Sequence, residues 1–247
     1  MHIDINYLDV LIKEAQSTNK IEDPIKKIIK KGLQSSCSLY VRASGKEQWS
    51  GSGFHIGNGY IITAGHVVPN EKQLTEINVT FDNQTFYSGE KIASDENIDC
   101  GIVYCKDIID AIPFLSLGDS DTLEIGDIIA VIGSPEGFHD TATVGRVSNI
   151  HQSVQDENLP AWQDIIFVDA DILEGSSGGM VIGTDGLVYG LVMGVTGQHA
   201  EYGVGESSIS PSNKIKQNDI CIMGNWIFGL PEDDLVSMKQ TLDFAME

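Results

Sequence analysis

Between Cys37 and Ile209 the chain is divided into short β-prone runs, each broken by Gly, Asn or Asp. Ser38–Arg42, Gly53–Ile56, Tyr60–Thr63, Ile77–Phe81, Gly101–Cys105, Asp127–Ile132, Ile165–Val168, Met180–Ile182 and Val188–Met193 are such runs. Many short strands at close spacing can bury their apolar faces only in a sandwich or a barrel. The 26 glycines against 7 prolines fit this, because tight turns between strands need glycine's backbone freedom. At 247 residues the chain is long enough for a sizeable core, in one large β domain or two small ones.

The two ends read differently. Tyr7, Leu8, Leu11, Ile12 and Ala15 recur at helical spacing, and Ile25, Ile28, Ile29 and Leu33 repeat the pattern after Pro24. A last helix is expected after Pro231, with Leu235, Met238, Leu242 and Ala245 on one face and Glu232, Asp233 and Asp234 in its first turn. Residues 1–35 are thus read as an N-terminal helical extension, 36–213 as the β core and 214–247 as a C-terminal strand and helix. Lys26, Lys27, Lys30 and Lys31 share the polar face of the second helix, as a solvated face or a partner patch.

Charge narrows the partners. Lys and Arg total 15 against 36 Asp and Glu, a formal net charge of −21. Such a surface repels phosphate backbones and anionic lipid, so neither nucleic acid nor membrane is expected. The acid either keeps the protein soluble or attracts a basic partner. Residues 1–17 carry Asp4, Asp9 and Glu14 and do not read as a signal peptide. Nothing approaches the roughly 18 apolar residues of a membrane span. Cys37, Cys100, Cys105 and Cys221 lack metal-ligand spacing, so they are read as free thiols in a reducing compartment, without a metal. A cytoplasmic location is expected on these grounds.

Three motifs carry chemistry. In the first, Gly51-Ser52-Gly53-Phe54-His55-Ile56 and Tyr60-Ile61-Ile62-Thr63-Ala64-Gly65-His66 read as two paired strands ending in a histidine. The second, Asn97-Ile98-Asp99-Cys100-Gly101-Ile102-Val103, places an acid at the entry to an apolar strand, where a buried carboxylate needs a donor such as an imidazole N–H. Asp95 is the competing acid, further from the apolar run. The third, Glu174-Gly175-Ser176-Ser177-Gly178-Gly179, lets backbone N–H groups of Gly175 and Ser177 converge beside a serine. Each motif alone has a plain structural reading; their combination does not.

Together they resemble the HtrA/Deg branch of trypsin-like serine proteases, which carries T-A-x-H-V, D-x-A-V and G-N-S-G-G in that order. This chain has Thr63-Ala64-Gly65-His66-Val67, Asp99-Cys100-Gly101-Ile102 and Gly175-Ser176-Ser177-Gly178-Gly179. Gly118-Asp119-Ser120, Ala130-Val131-Ile132-Gly133-Ser134-Pro135-Glu136-Gly137, Thr143-Val144-Gly145-Arg146-Val147-Ser148 and Ile209-Ser210-Pro211-Ser212-Asn213 are similar to further family motifs. The resemblance implies an all-β core of two six-stranded antiparallel barrels, about 36–115 and 116–213, with the site between them. It implies a serine endopeptidase with Ser177 as nucleophile, His66 as general base and Asp99 as orienter. Gly175, Ser176 and Ser177 would form the oxyanion hole, and no metal or cofactor is required. A protein or peptide substrate follows. A non-catalytic peptide-binding module on the same fold is the alternative, as is a subunit switched on by a regulatory protein that docks on the terminal helices.

The chain also departs from that family. Residues 214–247 are too short for the PDZ domains the family appends, and Ser176 replaces its Asn. Asp171, six residues before Ser177, falls where the wider fold places the base of the primary specificity pocket. A carboxylate buried there would favour Arg or Lys before the cut. Alternatively Asp171 turns away and Ile172 lines an apolar pocket. Glu174 stands on the cleft rim, either favouring basic flanking residues or merely solvated. On the same resemblance Val192, Met193 and Gly194 would form the opposite wall, whose backbone could pair with an extended substrate. The glycine-rich stretch 194–205 is expected to be an activation loop, ordering together with 136–142 and 170–176.

Overall fold

Asp23 opens a helix by accepting the Ile25 N–H at 3.0 Å, and Pro24 at the first helical position needs no hydrogen-bond partner. This helix, α1 (Pro24–Leu33), belongs to a computed structural model that describes residues 23–134, 141–154, 162–199, 204–217, 221–223 and 226–228. The expected helices over 7–15 and after Pro231 lie outside the described residues. Ile28 is buried, and a Cβ on Gly32 would collide with the Ile132 side chain of the second barrel. Glycine there lets the helix backbone lie directly on that barrel. Lys31 Nζ donates to the Gly186 carbonyl at 3.0 Å and fixes the contact from the other side.

The first half of the β core holds β1 (Ser36–Ala43), β2 (Gln48–Gly57), β3 (Tyr60–Ala64), β4 (Leu74–Thr80), β5 (Tyr87–Ser88), β6 (Glu90–Asp95) and β7 (Cys100–Tyr104). They pair in the order β5-β4-β1-β2-β3-β7-β6. The expected six-stranded barrel is seen as this curled sheet of seven. The extra strand arises because one segment, 87–95, bonds β4 at its start and β7 at its end and bends at Gly89 between them. A Cβ at Gly89 would press on Val103, Ile77 and Val79, so the bend turns into the core. Leu39, Phe54, Ile61, Ile62, Val79 and Ile102 fill the interior with almost no exposed surface. Each such burial contributes roughly 1.5–3 kcal/mol before conformational entropy is subtracted.

The second half closes fully. β8 (Ile128–Gly133), β9 (Thr141–Val154), β10 (Trp162–Val168), β11 (Met180–Gly183), β12 (Val188–His199) and β13 (Val204–Pro211) form a barrel in the order β10-β13-β12-β11-β8-β9. Its own core gathers Ile129, Val131, Val168, Val181, Val192 and Ile209. A short helix, α2 (Ser212–Gln217), and a two-stranded ribbon of β14 (Cys221–Met223) and β15 (Trp226–Phe228) follow. The stretch expected to be a loop from 194 onward is instead largely strand: β12 continues to His199 and pairs with β13 through Thr196 and His199. Of the expected activation segments, 136–140 and 200–203 lie outside the described residues, 141–142 open β9, and 170–176 form the loop that leads to β11.

One buried histidine joins the halves. His55 Nδ1 lies 3.1 Å from the carbonyls of both Ile112 and Pro113, while Nε2 accepts the Gly59 N–H at 3.1 Å. A ring that donates on one nitrogen and accepts on the other is neutral. Burial pulls its pKa below the ordinary value, although the two carbonyls oppose this. The neutral ring thereby pins the segment that runs from the first sheet toward the second barrel.

Candidate active site

His66 sits on a short 3₁₀ turn, Gly65–Val67, directly after β3. Asp99 precedes β7, the neighbour of β3, and Ala64 lies opposite Cys100 in that pairing. Asp99 takes a left-handed conformation with φ of 48°, which Asp tolerates better than most residues. The turn folds its carboxylate back onto the histidine. Oδ1 accepts the His66 backbone N–H at 2.9 Å, and His66 Nδ1 lies 3.0 and 2.9 Å from the two carboxylate oxygens. Gly65 makes the approach possible, since a Cβ there would lie 3.0–3.2 Å from the backbone of Asp95, Asp99 and Cys100.

The pair is electrically asymmetric. The Asp99 side chain is 4% exposed and the imidazole 52%, so the acid is sealed behind a ring that still meets solvent. Burial lowers the His66 pKa, but the hydrogen bond and the charge of Asp99 outweigh it and leave the pKa above the ordinary value. Asp95, the competing acid, instead accepts the Asn97 backbone N–H at 2.8 Å and its side-chain amide at 3.1 Å. It closes its own turn.

Ser177 arrives from the second barrel on a loop whose shape glycine permits. The Ser176 N–H donates to the Leu173 carbonyl at 3.0 Å, the Leu173 N–H donates to Ser176 Oγ at 3.2 Å, and Gly175 has φ of 87°. Positive φ at the third position marks a type II turn, in which the central peptide is flipped relative to type I. The N–H groups of Ser176, Gly178 and Gly179 are bonded to Leu173, Val192 and Ser176. Among the described residues, those of Gly175 and Ser177 have no protein partner. The expectation for Ser176 is corrected accordingly: its N–H closes the turn and is unavailable to a ligand.

The loop is docked on the strand pair that carries His66. The Ser177 carbonyl accepts the Ser52 N–H at 2.8 Å. A Cβ on Gly178, whose φ is 84°, would overlap the Ser52 carbonyl oxygen, with Thr63 Oγ1 at 2.5 Å and the Ala64 nitrogen at 2.6 Å. Gly51 in turn lies against Val67 and the Ser177 carbonyl. Ser177 Oγ donates to the Met193 carbonyl at 3.4 Å, and among the described residues no hydrogen bond joins it to His66.

Val192 and Met193 are buried in β12, while a Cβ on Gly194 would meet open space. Ile172 is half-buried against the core of the second barrel, Glu174 is exposed, and Leu173 is 62% exposed. Asp171 differs from the buried carboxylate expected: it is exposed, and its backbone carbonyl accepts Thr143 Oγ1 at 2.7 Å. Its carboxylate needs no partner because water solvates it. Two residues quoted in the sequence motifs without a role, Ser52 and His55, are fully buried hydrogen-bonding centres. Their only signal was a polar residue inside an otherwise apolar or glycine strand.

Cys37, Cys100 and Cys105 are free and buried. Burial raises all three thiol pKa values, that of Cys105 to about 11. Protonated, enclosed thiols are inert in either redox environment, so they do not argue for a reducing one. The side chain of Cys221 lies outside the described residues.

A model of the trypsin-like peptidase domain matches residues 51–191. Among curated relatives, a probable periplasmic serine endoprotease DegP-like from Chlamydia pneumoniae is 34% identical over 162 residues, 65% of this chain and 32% of its own length. A protein of the same name from Hahella chejuensis is 36% identical over 151 residues, 61% of this chain and 30% of its own length. The serine protease HTRA1A of Danio rerio is 34% identical over 171 residues, covering 68% and 33%. The chain spans about a third of the length of these relatives. In fold it is similar to an HtrA-type protease AlgW with tripeptide, with a TM-score of 0.66 at 24% identity over 76% of this chain and 60% of that one. A protease from M. tuberculosis in its active form gives 0.65 at 22% identity, covering 76% and 80%. The periplasmic names of the bacterial relatives overturn the cytoplasmic location expected from the sequence.

Proposed function

Because the chain belongs to the trypsin-like peptidase family, we propose that it is a serine endopeptidase acting on protein or peptide substrates. The observation that carries this reading is the sealed Asp99 carboxylate bonded to both the ring and the backbone of a half-exposed His66. A carboxylate on Nδ1 fixes the proton there and leaves Nε2 free as a base. Ser177 Oγ would then give its proton to His66 Nε2 as it attacks the carbonyl carbon. Negative charge moves to the carbonyl oxygen, which the N–H groups of Gly175 and Ser177 would receive. Protonated His66 would return its proton to the leaving amine. Water, deprotonated by the same ring, would release the acyl group from Ser177.

The substrate would lie along Val192-Met193-Gly194 as an added strand. Its N–H groups would compete for the Met193 carbonyl, which Ser177 Oγ now engages, and would free that oxygen to turn to His66. With Asp171 exposed, Arg or Lys before the cut would be favoured only by salt-screened attraction to its solvated carboxylate, not by a desolvated pair at the base of a pocket. Glu174 on the rim adds charge of the same sign.

A fluorophosphonate probe tests the reaction. It is expected to label Ser177, with labelling lost in Ser177→Ala and turnover falling by about 10⁶. A folded wild-type protein that takes no label would overturn the endopeptidase reading of the chain by itself and leave the peptide-binding module or the partner-switched subunit. Matched peptides with Arg or Leu before the cut test the specificity; equal or faster cleavage after Leu would overturn the role of Asp171.

A further inference from the structure

Ser52 has no solvent-accessible surface, lies in the first sheet, and touches neither His66 nor Asp99 by hydrogen bond. Yet every polar atom it carries is engaged. Its hydroxyl donates to the Gly175 carbonyl at 2.7 Å and accepts the Ser134 N–H at 2.8 Å. Its backbone N–H donates to the Ser177 carbonyl at 2.8 Å, and its own carbonyl accepts Thr63 Oγ1 at 2.7 Å. One hydroxyl supplies a single donor and further acceptor capacity, so the two side-chain bonds use complementary functions of one oxygen. The surroundings are shaped to this oxygen: a Cβ on Gly133 would lie 2.9 Å from it.

The two carbonyls that Ser52 holds flank the Ser176 peptide. They belong to the same two residues whose N–H groups have no protein partner. A peptide unit is planar, so the two bonds fix the Gly175–Ser176 and Ser177–Gly178 planes; these lie one Cα from the Gly175 N–H and on either side of the peptide that carries the Ser177 N–H, and limit the rotation of both. With the Gly175 carbonyl held on Ser52 and the Ser176 N–H of the same peptide on the Leu173 carbonyl, the closing peptide of the type II turn is fixed at both ends, at the positive φ of 87° that Gly175 tolerates. Ser134 locks the hydroxyl from the end of β8, so the rotor has one satisfied orientation rather than three.

We propose that Ser52 is a positioning residue for the oxyanion hole, setting the Gly175 and Ser177 N–H groups from across the interface between the two halves of the fold. The inference rests on the endopeptidase reading above. Ser52 never meets substrate; it acts through the loop that does. A merely structural hydroxyl would affect stability alone. A positioning one affects the charge-separated state more than the ground state, because only that state depends on the aim of both donors.

The experiment compares two affinities in wild type and Ser52→Ala. One is for a peptide trifluoromethyl ketone of the sequence the wild type cleaves best, which forms a tetrahedral adduct with an oxyanion. The other is for the uncleaved peptide, measured with Ser177→Ala in both backgrounds. Ser52→Ala is expected to weaken the ketone about 10- to 100-fold, below the full loss of a donor, and the peptide by less than about twofold. kcat should fall in step with ketone affinity while KM holds. Equal losses for both ligands, or none, in a wild-type background that hydrolyses the peptide would overturn the role of Ser52. A wild type that neither takes the fluorophosphonate nor hydrolyses peptide would overturn the endopeptidase reading instead. Should Ser52→Ala not fold, Ser52→Cys keeps a bridging atom with a weak donor and reads the same ratio.

Discussion

His66 and Asp99 meet inside a single sheet, across the neighbouring strands β3 and β7, and their three contacts of 2.9–3.0 Å are set by strand pairing and one left-handed turn. Ser177 belongs to a closed barrel, and its loop is held from two sides: by Val192 and Met193 of that barrel, and across the interface by Ser52 and the close approach of Thr63 and Ala64 to Gly178. One half of the site is complete within its own domain half; the other takes part of its shape from the interface. Local pairing yields a rigid base, whereas a loop completed across an interface can change with the relation of the two halves. The difference also predicts where substitution acts on chemistry and where it acts on assembly.

The largest effect tests the self-contained half. Asp99→Asn keeps the shape but lets the amide donate where the imidazole must, so the ring adopts the wrong tautomer. kcat is expected to fall by about 10⁴ with little change in melting temperature. The acidic limb of kcat/KM reports the same bond. Because Asp99 raises the His66 pKa above 6.5, wild type should lose activity as pH falls through a midpoint above 6.5. In Asp99→Asn that midpoint should move down. A midpoint unmoved by the substitution would break the assignment of Asp99 to His66.

The same contrast explains what could be read in the chain. The runs from Ser38 to Cys105, marked by apolar residues between Gly, Asn and Asp breaks, correspond to β1–β4 and β7. β5 and β6 escaped because their residues are only half-buried and lack an apolar face. β12 beyond Met193 was mistaken for a loop since Gly194 and Gly197 suggest breaks, while the ladder with β13 supplies what propensity lacks. His66, Asp99 and Ser177 stood out only through the combination and order of their motifs, since each motif alone has a plain structural reading. Ser52 did not, because its meaning lies in four partners distant in sequence, and no local pattern records them. Likewise the exposure of Asp171 depends on how β9 and the loop after β10 lie together, through Thr143.

Next in size is a test of the interface half. Gly178→Ala would place a methyl group onto the Ser52 carbonyl and against Thr63 and Ala64, in a left-handed conformation that alanine disfavours. Overpacking and backbone strain together should lower stability by about 3 kcal/mol or more, read as a shift in the denaturant midpoint. A neutral result would mean that the Ser177 loop is not seated on β2 and β3. By contrast Gly126, with φ of 97° and open space around its Cβ, should lose only about 1 kcal/mol on substitution by alanine.

Two histidines of the first sheet give opposite pH effects. His55 has a lowered pKa, so the unfolded chain takes up its proton first; the stabilisation from its neutral ring is complete above 6.5 and is lost as pH falls through the folded value. His66 has a raised pKa, so its contribution is present below 6.5 and lost as pH rises through its folded value. Urea titrations of wild type and His55→Gln between pH 5 and 8 should separate them. The variant is expected to be less stable at pH 8 and to show a shallower loss toward pH 5. A parallel pair of curves would remove His55 from the account of acid sensitivity.

The smallest expected effect is at Trp49, which supports the self-contained half from its edge. The indole Nε1–H donates to the carbonyl of Val67, the residue after His66, at 2.8 Å, while Lys72 Nζ lies 5.0 Å above the ring and pairs with Glu47 at 2.5 Å. Trp49→Phe keeps a ring for Lys72 and removes only the donor. One hydrogen bond of this kind contributes about 1 kcal/mol, and the exposed Lys72–Glu47 pair about 0–1 kcal/mol. If the three Asp99 contacts alone fix His66, as the comparison of the halves requires, Trp49→Phe should lower the melting temperature by a few degrees and change kcat by less than about threefold. A loss of kcat larger than tenfold, with the pH midpoint displaced, would show that the histidine turn leans on its edge as the serine loop leans on the interface, and the contrast between the two halves would fail.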